Sequence, residues 1–237
     1  PYVYEELMRA ITEGGHQAAQ ISRDEVDEEG RRLPDVCIPP EKVQFCESQI
    51  FLQELLMHRG DCSFCTKLLK RELFDGHRFP EGELNEDFRL LVELLQEIEG
   101  IVILPGQGYH VVCRMESTTR RRTKDSFSRV FLDIVDNADR MQELVDRKYP
   151  ALHLYAIRFN LFQRLDYMLH VPVSQMRKNN AFYQKVKGYL RAHLRDTMTN
   201  PYLTRKNKGY LMLFTLAPKM VRRVHGWKMR LTGVSGA

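Results

Sequence analysis

The sequence predicts an α/β fold for its first half, followed by a basic, all-helical C-terminal region. In residues 1–122, helical stripes of apolar side chains alternate with short apolar runs typical of buried strands, whereas from Asp125 onward every stripe has the helical period. The charge also changes, with 11 Lys/Arg against 22 Asp/Glu in residues 1–100 and 16 against 2 in residues 151–237. We therefore divide the chain into residues 1–122 and residues 123–237, with the basic run TTRRRT at the boundary.

Helical stripes and strand-like runs define the elements of the first half. The apolar spacing i, i+3, i+4 predicts three helices, over Tyr2–Ile11, over Ile50–Met57 and from Asn85 to Gly100. Ala18–Ser22 has the composition of a buried strand, and the acidic stretch Arg23–Arg32 after it is expected to be a solvated loop. A hairpin is predicted around the turn signal Pro105-Gly106, with strands Ile101–Leu104 and Tyr109–Cys113.

In the second half, the helical spacing of apolar residues predicts four helices, over Asp125–Lys148, Leu152–Leu169, Ser174–Met198 and Thr204–Val224. No uncharged apolar run reaches the about 18 residues needed to cross a bilayer. The five cysteines are an odd number in a chain too long to need disulfides, and no secretory signal opens it, so we expect reduced thiols and a cytoplasmic protein.

Several common kinds of site lack support in the sequence. There is no G-x-G-x-x-G, P-loop or G-x-S-x-G motif, so a Rossmann cofactor, P-loop hydrolysis and serine-hydrolase chemistry are not indicated. Cys62 and Cys65 have the C-x-x-C spacing, but no second ligand pair at matching spacing completes a zinc site. We predict no metal site in these residues.

The adjacent carboxylates Glu86 and Asp87 follow a Gly/Pro-rich loop and occupy the first turn of a predicted helix that Asn85 caps. They could simply complement the helix dipole. Alternatively, one carboxylate faces a cleft as a general base while its neighbour positions a substrate hydroxyl. The spacing alone does not decide between these roles.

The segment DCSFCTKLLKRELFDGHRFPEGELNEDF, residues 61–88, resembles the acceptor-side segment of glycosyltransferase family 2. Members of that family share three motifs in this order: W-N-K-L-Y-R-R-x-L-F, R-F-P-E-G and E-D. The matching residues are Lys67, Leu68, Arg71, Leu73, Phe74, Arg78, Phe79, Pro80, Glu81, Gly82, Glu86 and Asp87. Cys65, Thr66 and Leu69 depart from the pattern, which leaves the identity of the acceptor open.

Two other segments extend the resemblance to about residues 1–150. YHVVCRMESTT is similar to the family's Y-x-Y-R-x-R-P-G-S-I-T segment, with Tyr109, Arg114, Ser117 and Thr119 matching. The first helix and the strand after it resemble the elements that follow the family's metal-binding D-x-D strand. The three segments occur in the family's order and spacing.

The resemblance implies a GT-A fold and inverting transfer of a sugar from a nucleotide diphosphate donor to a glycan or lipid-linked acceptor, as in polysaccharide biosynthesis. Asp87 corresponds to the base that deprotonates the acceptor hydroxyl, and Glu86 would help to hold the acceptor. Lys67 and Arg71 match as substrate-binding residues. Arg114 and Ser117 match as contacts near the donor diphosphate, a role that suits guanidinium chemistry.

The family also implies a divalent metal, Mn or Mg, held by a D-x-D motif that is absent from these 237 residues. The resemblance therefore implies that the chain is the acceptor-side part of the GT-A sheet without its N-terminal half. We expect this polypeptide alone neither to bind a nucleotide sugar well nor to turn over. Micromolar binding of nucleotide diphosphates with manganese in isothermal titration would contradict that expectation.

Basic residues interleaved with Tyr, Phe and Leu fill residues 151–237. They could form the solvated face of a helical bundle. Alternatively, they could attach the protein to an anionic membrane surface, peripheral on the inner face of the cell membrane, which would suit a lipid-linked acceptor. No nucleic-acid partner is expected, because no recognition motif accompanies the charge. The competing function is a non-enzymatic membrane-surface or interaction module on a degenerate glycosyltransferase scaffold.

Overall fold

A computed structural model describes residues 2–35, 37–114 and 127–231. The chain forms two compact units, Pro1–Thr118 and Thr119–Ala237. It is 56% helical and contains a four-stranded mixed open sheet, so the predicted α/β class is confirmed. The predicted boundary between residues 122 and 123 lies outside the described residues.

The first unit is built on one sheet with the strand order β2-β4-β1-β3. Its strands are β1 (Ala18–Val26), β2 (Gln44–Glu47), β3 (Lys67–Leu69) and β4 (Gly100–Val112). The central pair β1 and β4 is parallel, whereas β3 pairs with β1 and β2 pairs with β4 in the antiparallel direction. Its helices are α1 (Tyr2–Thr12), α2 (Ser48–Leu56) and α3 (Glu86–Leu94).

The predicted hairpin around Pro105-Gly106 is wrong, because the segment forms the single strand β4. Between the pairs Gln20↔Ile103 and Ser22↔Gln107, β4 contains two more residues than β1. The extra residues include Gly106, whose φ of 91° an L side chain rarely adopts. The Pro-Gly pair thus forms a bulge, in which the missing N–H of proline is tolerated, rather than a turn.

The length of β1, the strand that pairs with β4, explains why the predicted hairpin does not form. The stretch Arg23–Arg32 was expected to be a loop, but Arg23–Val26 continues β1 and pairs with Tyr109–Val112. α3 also ends earlier than predicted, and Gly100 opens β4 instead of closing the helix. A Cβ at Gly100 would lie 2.3 Å from the carbonyl oxygen of Cys46, so the approach of β2 requires glycine there.

One apolar cluster of the first unit lies between α1 and the central strands. The helical stripe of α1 buries Leu7 and Ile11 against the sheet, as its spacing predicts. Ala19, Ile21, Val102 and Leu104 supply the sheet side of this cluster.

The described residues of the second unit form helices and short 3₁₀ turns. The helices are α4 (Val130–Lys148), α5 (His153–His170), α6 (Ala181–Ala192), α7 (Leu194–Thr199), α8 (Arg205–Leu216) and α9 (Pro218–Leu231). Two predicted helices are therefore each divided in two. The break before α9 follows from Pro218, which disfavours helical geometry at Ala217, where φ is −135° and ψ is 58°.

Candidate functional site

The segment that precedes β3 is shaped by Asp61, a carboxylate that is only 4% exposed. One oxygen accepts the backbone N–H of Ser63 at 2.9 Å, and the other accepts the hydroxyl of Thr66 at 2.8 Å. The hydroxyl of Ser63 in turn accepts the N–H of Cys65 and caps the 3₁₀ turn Phe64–Thr66. These bonds give residues 61–66, here called the 61–66 loop, a defined backbone conformation.

The buried side chain of Lys67 also stabilises the 61–66 loop through hydrogen bonds. Its side chain is 7% exposed, and its Nζ donates to the carbonyl oxygens of Asp61 at 2.6 Å and Ser63 at 2.8 Å. Burial lowers the pKa of Lys67, because the charged form is poorly solvated there. Its ammonium is engaged with the loop backbone, and its role as a substrate contact stays a prediction.

Asp87 is the second residue of α3 and is half-buried beside the 61–66 loop. Its Oδ2 accepts the backbone N–H of Phe64 at 3.3 Å. Burial raises the pKa of Asp87 above its ordinary value, a shift that Glu86 and Asp61 reinforce and that the Phe64 N–H and Lys67 oppose. The side chain is therefore a fixed carboxylate with enhanced basicity.

Glu86 is also half-buried, and the described residues give it no hydrogen-bond or ion-pair partner. Asn85 occupies the predicted N-cap position, although its side chain makes no capping hydrogen bond to the described helix. The two carboxylates of the first turn thus differ, since only Asp87 is anchored to another segment.

The other predicted site residues do not join this group. Arg71 lies in a 3₁₀ turn and Arg114 follows β4, and both side chains are exposed. Within the described ranges, no hydrogen bond or ion pair connects either of them to Asp87. Ser117 lies outside the described residues.

Aromatic rings connect the 61–66 loop to the segment that matches R-F-P-E-G. The ring of Phe79 meets that of Phe64 edge to face, with centroids 5.0 Å apart, and the centroid of the Phe74 ring lies 6.2 Å from that of Phe64. Phe79 is 46% exposed. An apolar ring therefore faces solvent from the segment that leads into α3.

Two contacts of this region were not predicted from the sequence. Arg23 reaches from β1 to Asp61, with Nη1 3.6 Å from its Oδ1, and a side-chain hydrogen bond to Cys65 raises the pKa of Tyr109. Only Asp61 had a local signal, because an Asp two residues before Ser63 fits an Asx turn. The contacts of Arg23 and Tyr109 join residues distant in sequence.

A cavity of about 390 Å³ lies elsewhere in the first unit, lined by parts of α1 and β4 that include Glu6, Arg9 and Leu104. None of the predicted site residues lines it. No cluster of three or more His, Cys, Asp or Glu suited to a metal ion occurs among residues 2–35, 37–114 and 127–231.

All five cysteines are free thiols. Burial raises the pKa of Cys37 to about 11 and also raises the pKa values of Cys46 and Cys62. Burial therefore favours the protonated form of these three thiols.

Searches of known protein families and of curated proteins find no match to this chain. The resemblance to glycosyltransferase family 2 therefore depends on the motifs themselves. What the geometry adds is local: it joins the start of α3 to the 61–66 loop through Asp87 and Phe64.

Proposed function

We propose that the chain is the acceptor-side and C-terminal part of an inverting, nucleotide-sugar-dependent glycosyltransferase of the family 2 type, with Asp87 as its general base. The observation that carries the proposal is the anchored, half-buried Asp87 carboxylate with a raised pKa. A solvated dipole complement at a helix start would need neither the contact with Phe64 nor the burial.

The proposed reaction uses the free oxygen of Asp87. Within the described structure, the Phe64 N–H occupies Oδ2 and leaves Oδ1 without a hydrogen bond. Oδ1 takes the proton of the acceptor hydroxyl as the hydroxyl oxygen bonds to the anomeric carbon of the donor. The bond from that carbon to the diphosphate breaks, the nucleoside diphosphate leaves with the electron pair, and attack from the opposite face inverts the configuration.

Burial supports this role through the pKa. A carboxylate with the ordinary pKa of aspartate is a weak base, and raising its pKa increases its affinity for the hydroxyl proton. By resemblance, Glu86 is proposed to accept a hydrogen bond from the acceptor. The exposed ring of Phe79, which packs edge to face on Phe64, offers an apolar surface to a sugar ring beside the 61–66 loop.

Donor binding is proposed from the resemblance. Arg114 and Ser117 are proposed contacts to the diphosphate by resemblance alone, and no step is assigned to a metal. The nucleotide-sugar donor and the glycan or lipid-linked acceptor are therefore proposed partners.

The decisive experiment compares Asp87→Asn with Glu86→Gln in the protein encoded by the complete open reading frame. Sugar transfer is measured as release of nucleoside diphosphate from a panel of UDP-, GDP-, CDP- and dTDP-sugars with manganese or magnesium. Asparagine can still accept the Phe64 N–H, so the loop contact survives while the base is lost. We expect a fall in kcat of about 10²- to 10⁴-fold for Asp87→Asn with donor KM nearly unchanged.

Glu86→Gln is the matched control, since it removes the adjacent charge. We expect it to raise the acceptor KM by less than about tenfold and to leave most of kcat, as for loss of one substrate hydrogen bond. Transfer retained by Asp87→Asn would refute the assignment of the base. Absence of nucleoside diphosphate release from every donor would refute the enzyme and favour the non-enzymatic module.

A further inference from the structure

The last helix, α9, turns a row of large apolar side chains to solvent. The exposed fractions are 60% for Met220, 58% for Val224, 66% for Trp227 and 68% for Leu231. Spacings of four, three and four residues place them within about 60° of one another around the helix axis. These four residues are called the α9 stripe.

A different side of α9 anchors the helix to its own unit. Val221 is 7% exposed and belongs to the apolar core. Nε of Arg222 donates to the carbonyl oxygen of Val171 at 3.0 Å, just after the end of α5. The helix is therefore docked through one face and presents the α9 stripe on another.

Positive charge borders the α9 stripe. Residues 197–237 contain eight Lys/Arg and no Asp or Glu. At 100° per residue, Lys228 lies on one side of the stripe, and Lys219 and Arg223 lie on the other. All three side chains are exposed. The apolar face is thus flanked by cations on both sides.

We propose that α9 lies flat on an anionic membrane surface, with the α9 stripe among the acyl chains and Lys219, Arg223 and Lys228 against the lipid headgroups. Amphipathic helices that lie in the bilayer interface combine these two features. A folded protein partner fits less well, because a typical interface needs about 800 Å² per partner and has few charges in its core.

No helix in the described residues is both long and apolar enough to cross a bilayer. The proposed contact involves one face of a 14-residue helix. The inference goes beyond sugar transfer and does not depend on it, since it involves only residues of the second unit.

Trp227 makes the proposal directly testable, because it is the only tryptophan in the chain and belongs to the α9 stripe. The full chain is titrated with vesicles of equal parts phosphatidylglycerol and phosphatidylcholine, and with phosphatidylcholine alone. We expect a blue shift of Trp227 emission and quenching by brominated acyl chains with the anionic vesicles only. Raising NaCl from about 0.1 M to about 1 M should weaken binding at least about tenfold, because screening shortens the reach of the charges.

Two pairs of variants separate the apolar and charged contributions. Val224→Ser/Leu231→Ser keeps the Trp227 reporter and should weaken vesicle binding by about tenfold or more, and its matched control, Leu154→Ser/Met198→Ser, changes two exposed apolar residues elsewhere in the unit. Lys219→Gln/Arg223→Gln should also weaken binding about tenfold, against Arg191→Gln/Arg195→Gln as control. Neither control should change binding more than about twofold.

Four results would overturn the proposal. They are no binding to anionic vesicles, equal binding to neutral ones, binding without a change at Trp227, and equal effects of stripe and control variants. A blue shift that grows with protein concentration in the absence of lipid would also overturn it and would identify a second copy of the chain as the occupant.

Discussion

Lys67 in the first unit and Arg164 in the second are long basic side chains that are buried, but the two cations have different partners. Lys67 in the first unit donates to neutral oxygens, the carbonyls of Asp61 and Ser63. Arg164 in the second unit is 1% exposed and donates from Nη2 to the carboxylate of Asp139 at 2.6 Å. Its guanidinium also lies 3.8 Å from the centroid of the Tyr189 ring.

The difference shows what each buried charge stabilises. Lys67 fixes the backbone of a loop that contacts Asp87, whereas Arg164 connects helices through side chains. Burial acts to raise the pKa of Asp139, but Arg164, Lys185 and Asn160 together hold it below its ordinary value. We therefore expect Arg164 to matter chiefly for stability, and Lys67 for stability and for the site together.

Removing Arg164 should have the largest effect. Arg164→Met leaves a half-buried Asp139 without its closest buried cation, so we expect a loss of about 3 kcal/mol in the free energy of unfolding. Lys185→Gln is the control, since Lys185 also pairs with Asp139 at 2.8 Å but is 44% exposed, and it should cost less than about 1 kcal/mol. Urea unfolding measures both.

The double variant Arg164→Met/Asp139→Leu sharpens this test. It removes both charges, so most of the lost stability should return. Equal destabilisation by Arg164→Met and Lys185→Gln would show that the buried contact has no special role in the second unit.

Lys67→Met should have an intermediate effect on stability and a second effect on the site. Two buried carbonyls lose their donor, which should cost about 2 kcal/mol. The charge of Lys67 lowers the pKa of Asp87, so Lys67→Met should raise that pKa. The acidic limb of the pH profile of kcat/KM for sugar transfer should then move to higher pH. Transfer falls as pH drops through that pKa, since the base becomes protonated.

Lys70→Met is the control for this prediction. Lys70 follows β3 and is exposed, so its loss should change stability by less than about 0.5 kcal/mol and leave the acidic limb in place. If both variants shift the limb equally, the buried position of Lys67 is not what links it to Asp87.

Local signals in the sequence predicted part of this arrangement. The helical stripe of α1 and the acidic first turn of α3 depend on neighbouring residues, and α1 and the start of α3 were predicted correctly. The hairpin was not, because pairing of β4 with the distant β1 overrode the Pro-Gly turn signal. The contact of Asp87 with Phe64 and the burial of Lys67 depend on the packing of separate segments, which spacing does not reveal.

The smallest expected effect is a difference between the two units in how their stability depends on pH. The first unit contains all five cysteines, and the folded pKa of Cys37, about 11, lies above its ordinary 9.0. The unfolded thiol ionises first, so this stability is complete below about pH 9 and is lost as pH rises toward about 11. In the second unit, burial raises the pKa of Tyr167 from its ordinary 10.0 to about 12. The stability that this tyrosine contributes is therefore lost only above about pH 10.

Hydrogen exchange with mass spectrometry in urea resolves the two units peptide by peptide. Between about pH 8 and about pH 10, Cys37 should cost the first unit about 1 kcal/mol, while the second unit should change less. Cys37→Ser removes the thiol with the pKa of about 11 and should reduce the pH dependence of the first unit, while Cys46 and Cys62 retain a part of it. If the slope of Cys37→Ser equals that of the parent protein, other groups of the first unit control it and the assignment to the thiol beside Asp61 is wrong.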